Sequence, residues 1–141
     1  MMLRITYFVH GTTTDNENSI ATDSAKLTFG NNTPIIRDSR LRECNYGDLN
    51  GADARRVESI TEACIDNPFP NGESCKDVEK RVRSFLKDLK NNYAGKQVAI
   101  ISHRGPQLAL DVIVKKKTWK QAIKEDWRKT EKWKPGWSYK I

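Results

Sequence analysis

The chain opens on a run of β-branched and aromatic positions, Leu3-Arg-Ile-Thr-Tyr-Phe-Val9, which predicts a buried strand. The run stops at His10-Gly11, and the polar stretch 10–23 predicts a loop. Ser24–Phe29 has the length of one or two helical turns, and Gly30-Asn-Asn-Thr-Pro34 predicts a turn. Ile35-Ile36 predicts the start of a short strand, with Leu41-Arg-Glu43 close behind it and a loop over 46–51. Residues 52–66 have weak helical character that must end at Asn67-Pro68, because the residue before a proline is disfavoured in the α region.

The strongest pattern comes next. Ser74 and Asp77 have the spacing of a capping box, in which each side chain satisfies an orphan backbone N–H of the other residue. Val78, Val82, Phe85, Leu86, Leu89 and Tyr93 then follow at spacings of 4, 3, 1, 3 and 4, one apolar stripe of an α-helix that Gly95 can stop. Gln97–Ser102 predicts a second strand ending at His103. Pro106 suits the first turn of a helix with Leu108, Ala109, Val112 and Ile113 facing inward. A last helix is expected over 118–130, ended by Pro135-Gly136 and followed by a short tail, Trp137–Ile141. Strand, helix, strand, helix is α/β order, for which parallel pairing is the default.

Composition narrows this picture. One domain spanning residues 1–141 is expected, with a thin core, since Leu, Ile, Val and Phe together number 30. No apolar run is long enough to span a bilayer, and the N-terminus lacks the charged and apolar regions of a signal peptide. Cys44, Cys64 and Cys75 are odd in number and show no C-x-x-C spacing, which argues against a disulfide scaffold or a zinc ribbon and fits a reducing, cytoplasmic setting. The net charge of +7 is localised: residues 1–114 carry 15 basic and 15 acidic side chains, residues 115–141 carry 10 and 3.

The candidate chemistry lies at the two strand ends. His10 and His103 are the chain's two histidines, and each follows a predicted strand. In an open α/β sheet, ligands bind outside the carboxyl ends of the strands, so parallel pairing would bring both imidazoles to one crevice.

Four segments then resemble the histidine phosphatase superfamily, which is phosphoglycerate-mutase-like. Phe8-Val-His-Gly-Thr-Thr-Thr-Asp-Asn16 resembles its R-H-G-x-T-x-x-N signature, and Leu41-Arg-Glu-Cys-Asn-Tyr-Gly-Asp-Leu-Asn-Gly51 its L-R-E-x-x-x-G-x-x-x-G segment. Pro70-Asn-Gly-Glu-Ser74 resembles P-x-G-E-S, and Val98-Ala-Ile-Ile-Ser-His103 the strand V-x-x-V-S-H. The resemblance implies a three-layer α/β/α fold with a mostly parallel sheet. It implies a metal-independent phosphomonoester hydrolase, needing no cofactor, that acts on a small phosphorylated substrate through a phosphohistidine. In that reading His10 is the nucleophile, His103 donates to the phosphoryl oxygens, and Glu43 is the general acid and later the base. Gly11 and Asn16 contact the phosphate.

Two departures from the family pattern stand out. Val9 occupies the position of an arginine that clamps the phosphate, and the chain lacks several dozen residues holding one helix, one interior strand and a second such arginine. Arg104 is the first candidate to replace them, ahead of Arg40 and Arg42. Weak turnover is expected. The alternatives are a non-catalytic remnant that binds phosphorylated ligands, or a nucleic-acid-binding module built on the C-terminal end.

That end carries all four tryptophans, Trp119, Trp127, Trp133 and Trp137. Trp119, Ile123 and Trp127 are four apart and would share a helix face, with Lys116, Lys117, Lys120, Lys124 and Lys129 around them. Tryptophans at helical spacing pack a core more often than they bind bases, so neither a nucleic-acid nor a membrane partner is expected.

Overall fold

The leading strand and the capped helix dominate the architecture. The computed structural model describes residues 1–9, 17–129, 134 and 136–141. β1 (Arg4–Val9) is followed by α1 (Glu17–Phe29), α2 (Ala54–Thr61), α3 (Cys75–Tyr93), β2 (Gln97–Ser102), α4 (Arg104–Val114), α5 (Trp119–Lys124) and β3 (Trp137–Lys140). Single 3-10 turns at Ser39–Leu41, Gly47–Leu49 and Trp127–Lys129 complete the order.

Among the described residues the sheet has three strands in the order β2-β1-β3. β1 pairs parallel with β2, from Arg4 opposite Gln97 to Val9 opposite Ser102, so the two strands end level. β3 pairs antiparallel with β1, Arg4 opposite Lys140 and Tyr7 opposite Trp137. The sheet is therefore mixed rather than mostly parallel, and the expected tail at Trp137–Ile141 is a strand. Its alternation was legible in principle, since Trp137 and Tyr139 are buried while Ser138 and Lys140 are exposed.

β1 alternates in the same way. Leu3, Ile5 and Tyr7 are buried, and the intervening positions are half-buried or exposed, so the strand is half-buried rather than buried on both faces. α4 packs against α3 and β1, and α5 packs against α4. The core gathers Leu3, Ile5 and Tyr7 with Val78, Val82, Leu86, Leu108, Leu110 and Trp119.

α3 begins with the expected capping box, Ser74 and Asp77 bonding reciprocally, and its apolar stripe faces inward. Gly95 follows it in the left-handed region (φ +74). Elsewhere the helical pattern misled. α1 starts at Glu17, inside the expected loop 10–23, because a helix with no apolar stripe leaves no periodic signal. Ile35-Ile36 forms no strand: no described strand pairs with it, and Ile36 is 71% exposed. The expected helix 118–130 is shorter, α5 ending at Lys124, so Trp127 lies on a separate turn and not on the face of Trp119. Trp119 and Ile123 are buried, Trp127 is half-buried, and Trp133 lies outside the described residues. No helix of the described residues is long and apolar enough to cross a membrane.

Candidate active site

The site is built where β2 turns into α4. His103 is the extended N-cap residue of α4 (φ −122, ψ 178) and is buried. Its carbonyl accepts from the Tyr7 hydroxyl of β1 at 2.8 Å and from the Gln107 N–H at 3.3 Å. Burial foremost pushes the Tyr7 phenol well above its ordinary value, so Tyr7 is a hydrogen-bond donor here and no acid.

Glu43 meets the start of α4 from the loop side. Its Oε1 accepts from the Cys44 N–H at 2.7 Å and the Gly105 N–H at 2.8 Å, and its Oε2 accepts from the Arg104 N–H at 3.1 Å. The first donors of α4 are thus satisfied by a carboxylate from a distant segment. Orphan N–H groups and the helix dipole both favour an anion there. Gly105 permits the approach: a Cβ at that position would lie 2.5 Å from Glu43 Oε1.

The segment carrying Glu43 is held by α3. Arg81 donates through Nη1 to the carbonyls of Arg40 (2.6 Å) and Arg42 (2.8 Å), through Nη2 to the carbonyl of Glu43 (3.0 Å), and through Nε and Nη2 to the Glu73 carboxylate. Glu73 also accepts from Arg42 and from the Asn45 N–H. Burial alone would raise its pKa, but the bond from Arg81, the Asn45 N–H and the charges of Arg81 and Arg42 outweigh it and hold the carboxyl below its usual range. The Ser102 hydroxyl donates to the Leu41 carbonyl, tying the segment to the end of β2. Gly47 (φ +58) fits under the next turn, where a Cβ would meet the Pro70 carbonyl oxygen at 1.9 Å. Arg81 carried no motif signal, since it lies outside the apolar stripe of α3.

Of the six expected site residues, the structure brings Glu43 to the backbone following His103. His10, Gly11 and Asn16 lie outside the described residues. Arg104 is placed differently from the expectation. Its guanidinium donates to Asp126 through Nε and to Glu58 through Nη2, both at 2.6 Å, and its side chain is 16% exposed. Two carboxylates take up the Arg104 charge. Arg40 and Arg42 are likewise engaged, by Asp38 and Asp88 and by Glu73.

A second cluster sits beside this one. Asp126, nearly fully buried, also accepts from Arg128 Nη1 at 2.7 Å. Burial opposes its charge, and Arg104 and Arg128 overcome that and hold it below its ordinary value. The Arg128 guanidinium lies 5.0 Å from the Trp127 ring. Trp127 packs on Trp137 (6.3 Å between centroids), and Trp137 meets Tyr7 edge-on (6.2 Å).

Burial raises the thiols of Cys44, Cys64 and Cys75, the last to about 12, so none is an activated nucleophile. Among the described residues no group of three or more His, Cys, Asp or Glu side chains has the arrangement of a metal site.

Residues 19–120 match the family model of the histidine phosphatase superfamily, branch 1. The chain belongs to that superfamily. The match includes Glu43 and His103 and begins beyond His10. A protein of Hydrogenobacter thermophilus provisionally named phosphoserine phosphatase 2 is 34% identical over 84 residues, 52% of this chain and 39% of that one. An Escherichia coli protein provisionally named phosphoglycerate mutase is 32% identical over 80 residues, 49% of this chain and 36% of that one. The chain thus spans well under half the length of these curated relatives. In fold it is similar to YhfR of Bacillus stearothermophilus, with TM-score 0.69 at 17% identity over 85% of this chain and 83% of the other. The α-ribazole phosphatase of Shigella flexneri gives TM-score 0.67 at 16% identity over 84% and 83%.

Proposed function

We propose that the chain is a phosphomonoester hydrolase of the histidine phosphatase type, a single domain working in the cytoplasm on a small phosphorylated substrate. The reading includes an α/β/α fold shortened by one helix and one interior strand. The observation that carries it is the Glu43 carboxylate seated on the N–H groups that immediately follow His103. The level, parallel ends of β1 and β2 support it, because His10 and His103 are the next residues after Val9 and Ser102.

In the first step the neutral imidazole of His10 attacks phosphorus. The P–N bond forms, the P–O bond to the alcohol breaks, and protonated Glu43 delivers its proton to the leaving oxygen. His103 donates to the phosphoryl oxygens as their charge changes. In the second step Glu43 takes a proton from water, the water oxygen attacks phosphorus, and inorganic phosphate leaves as His10 is restored. Glu43 must give up one of its backbone contacts for either proton transfer, which makes movement of that side chain part of turnover.

Val9 offers no phosphate clamp, so turnover of a generic aryl phosphate is expected to be weak and to survive chelator. His10→Ala should abolish it, and Val9→Arg should raise it. Turnover that is indifferent to His10→Ala ends this reading. The engagement of Arg40, Arg42 and Arg104 by carboxylates favours the second reading, a phospho-ligand-binding protein without turnover. In that case phosphate binds and aryl phosphate is not hydrolysed.

A further inference from the structure

Arg128 differs from every other arginine around Glu43. One arm of its guanidinium, Nη1, is fixed by Asp126, and its backbone N–H bonds the same carboxylate. The other arm, Nη2, is buried yet has no hydrogen-bond partner among the described residues. A buried donor of a charged group without an acceptor is unfavourable and rare in folded proteins, so the atom calls for an oxygen ligand.

Its place in the fold says which ligand. Tyr7 lies opposite Trp137 in the sheet, Trp137 carries Trp127, and Trp127 carries the Arg128 guanidinium. This stack seats Arg128 by the carboxyl half of β1, the strand that leads into Val9 and His10. Asp126 then joins Arg128 to Arg104, the residue after His103. The positive charge of Arg128 acts on the Tyr7 phenol, whose oxygen is bonded to the His103 carbonyl. Asp126 is shared between two guanidinium groups and Glu58 takes the other arm of Arg104, so among the described residues Arg128 Nη2 is the donor left over for an incoming anion.

We propose that Arg128 is the phosphoryl-binding arginine of this chain, its Nη2 donating to a non-bridging phosphoryl oxygen held at the ends of β1 and β2. This rests on the phosphatase reading and adds the cation that the reading lacks. Val9 and the shortened middle of the chain leave the phosphate without its usual clamps, and a residue from the turn after α5 takes their place. Asp126 orients the guanidinium edge, and the indole of Trp127 supports its face.

The test is titration of the full chain with inorganic phosphate at constant ionic strength, followed by calorimetry, with thermal unfolding as the folding control. Arg128→Gln should keep its fold and weaken phosphate binding by about tenfold or more, the loss of one charge-assisted contact. Arg128→Lys, which keeps the charge but not the second donor arm, should fall between the two. Lys124→Gln, an exposed charge on α5, should bind as the parent does. Phosphate binding by folded Arg128→Gln equal to that of the parent overturns the proposal, as does a parent that binds no phosphate at about 0.1 M, the Kd that a single tenfold contact supports. If Arg128→Gln fails to fold, Arg128→Lys decides: undiminished binding overturns the proposal and weakened binding sustains it. The phosphatase reading fails separately, when His10→Ala leaves aryl phosphate turnover unchanged, because the titration needs no turnover.

Discussion

Two half-buried arginines frame the candidate site and behave in opposite ways. Arg81 uses all three guanidinium nitrogens, on three backbone carbonyls and one carboxylate. Arg128 uses one arm on Asp126 and leaves the other without a partner among the described residues. The difference separates two duties that both fall to arginine. A guanidinium whose donors are all taken by its own chain fixes a loop, here the one that carries Glu43. A guanidinium with a donor to spare is completed by something else. Under the proposed function, the rigid side would hold the proton donor and the incomplete side would take the anion.

The largest expected effect falls on Arg81. Arg81→Gln leaves the half-buried Glu73 carboxylate and three carbonyls short of partners, and should lower unfolding free energy by about 2–4 kcal/mol in a urea titration. A loss below about 1 kcal/mol would mean that the loop is held by other contacts and that the contrast between the arginines is empty.

Gly105→Ala tests the same side more gently. The new methyl group must displace the Glu43 carboxylate from α4, with a stability loss of about 0.5–2 kcal/mol, that of a lost helix cap. Turnover should fall with it, and retention of full turnover would detach Glu43 from the chemistry.

Arg128→Gln should cost less than about 1 kcal/mol, because Asp126 keeps Arg104 and the unpaired donor is removed along with the charge. A loss as large as that of Arg81→Gln would make Arg128 a second structural clamp.

The smallest effect is in acid. Glu73 and Asp126 both titrate lower in the fold than as free side chains. Their stabilisation is present above the unfolded values near pH 4 and is lost as pH falls through the folded ones. Urea midpoints taken from about pH 5 down to pH 2 should drop in the parent. The slope should flatten most in Arg81→Gln, which deprives Glu73 of its main partner, and flatten less in Arg128→Gln, where Arg104 still holds Asp126.

The parts of this fold that announce themselves in sequence are those with local physics behind them. The box of Ser74 and Asp77, the stripe from Val78 to Tyr93 and the Gly95 stop all act within a few residues, and α3 matches them. β2 ends at Ser102 as its run of apolar residues indicates. β3 and α1 did not announce themselves. The first depends on pairing with β1 at the other extreme of the sequence, and the second has no apolar face to read. In the candidate site, Glu43 and His103 stand out in the sequence because short motifs surround them. Arg81 and Arg128 were not, since a charged residue is visible as a partner only when the carbonyls and carboxylates it meets are known. The partners of Arg104 were hidden for the same reason: Glu58 and Asp126 lie 46 and 22 residues away.

The central strand has a kinetic consequence. β1 has no neighbour in sequence as a partner: Arg4 pairs with Gln97 on one side and Lys140 on the other, and Leu3 and Ile141 exchange backbone bonds. No hairpin can nucleate such a sheet. Closing loops this long has an entropic penalty that helices such as α3 do not bear. Helical contacts between α3 and α4 can form early, while the ends of β1 and β2 become level neighbours only when strands far apart along the chain have met. The ends of β1 and β2 are therefore among the last parts of the described sheet to find their geometry as the chain folds.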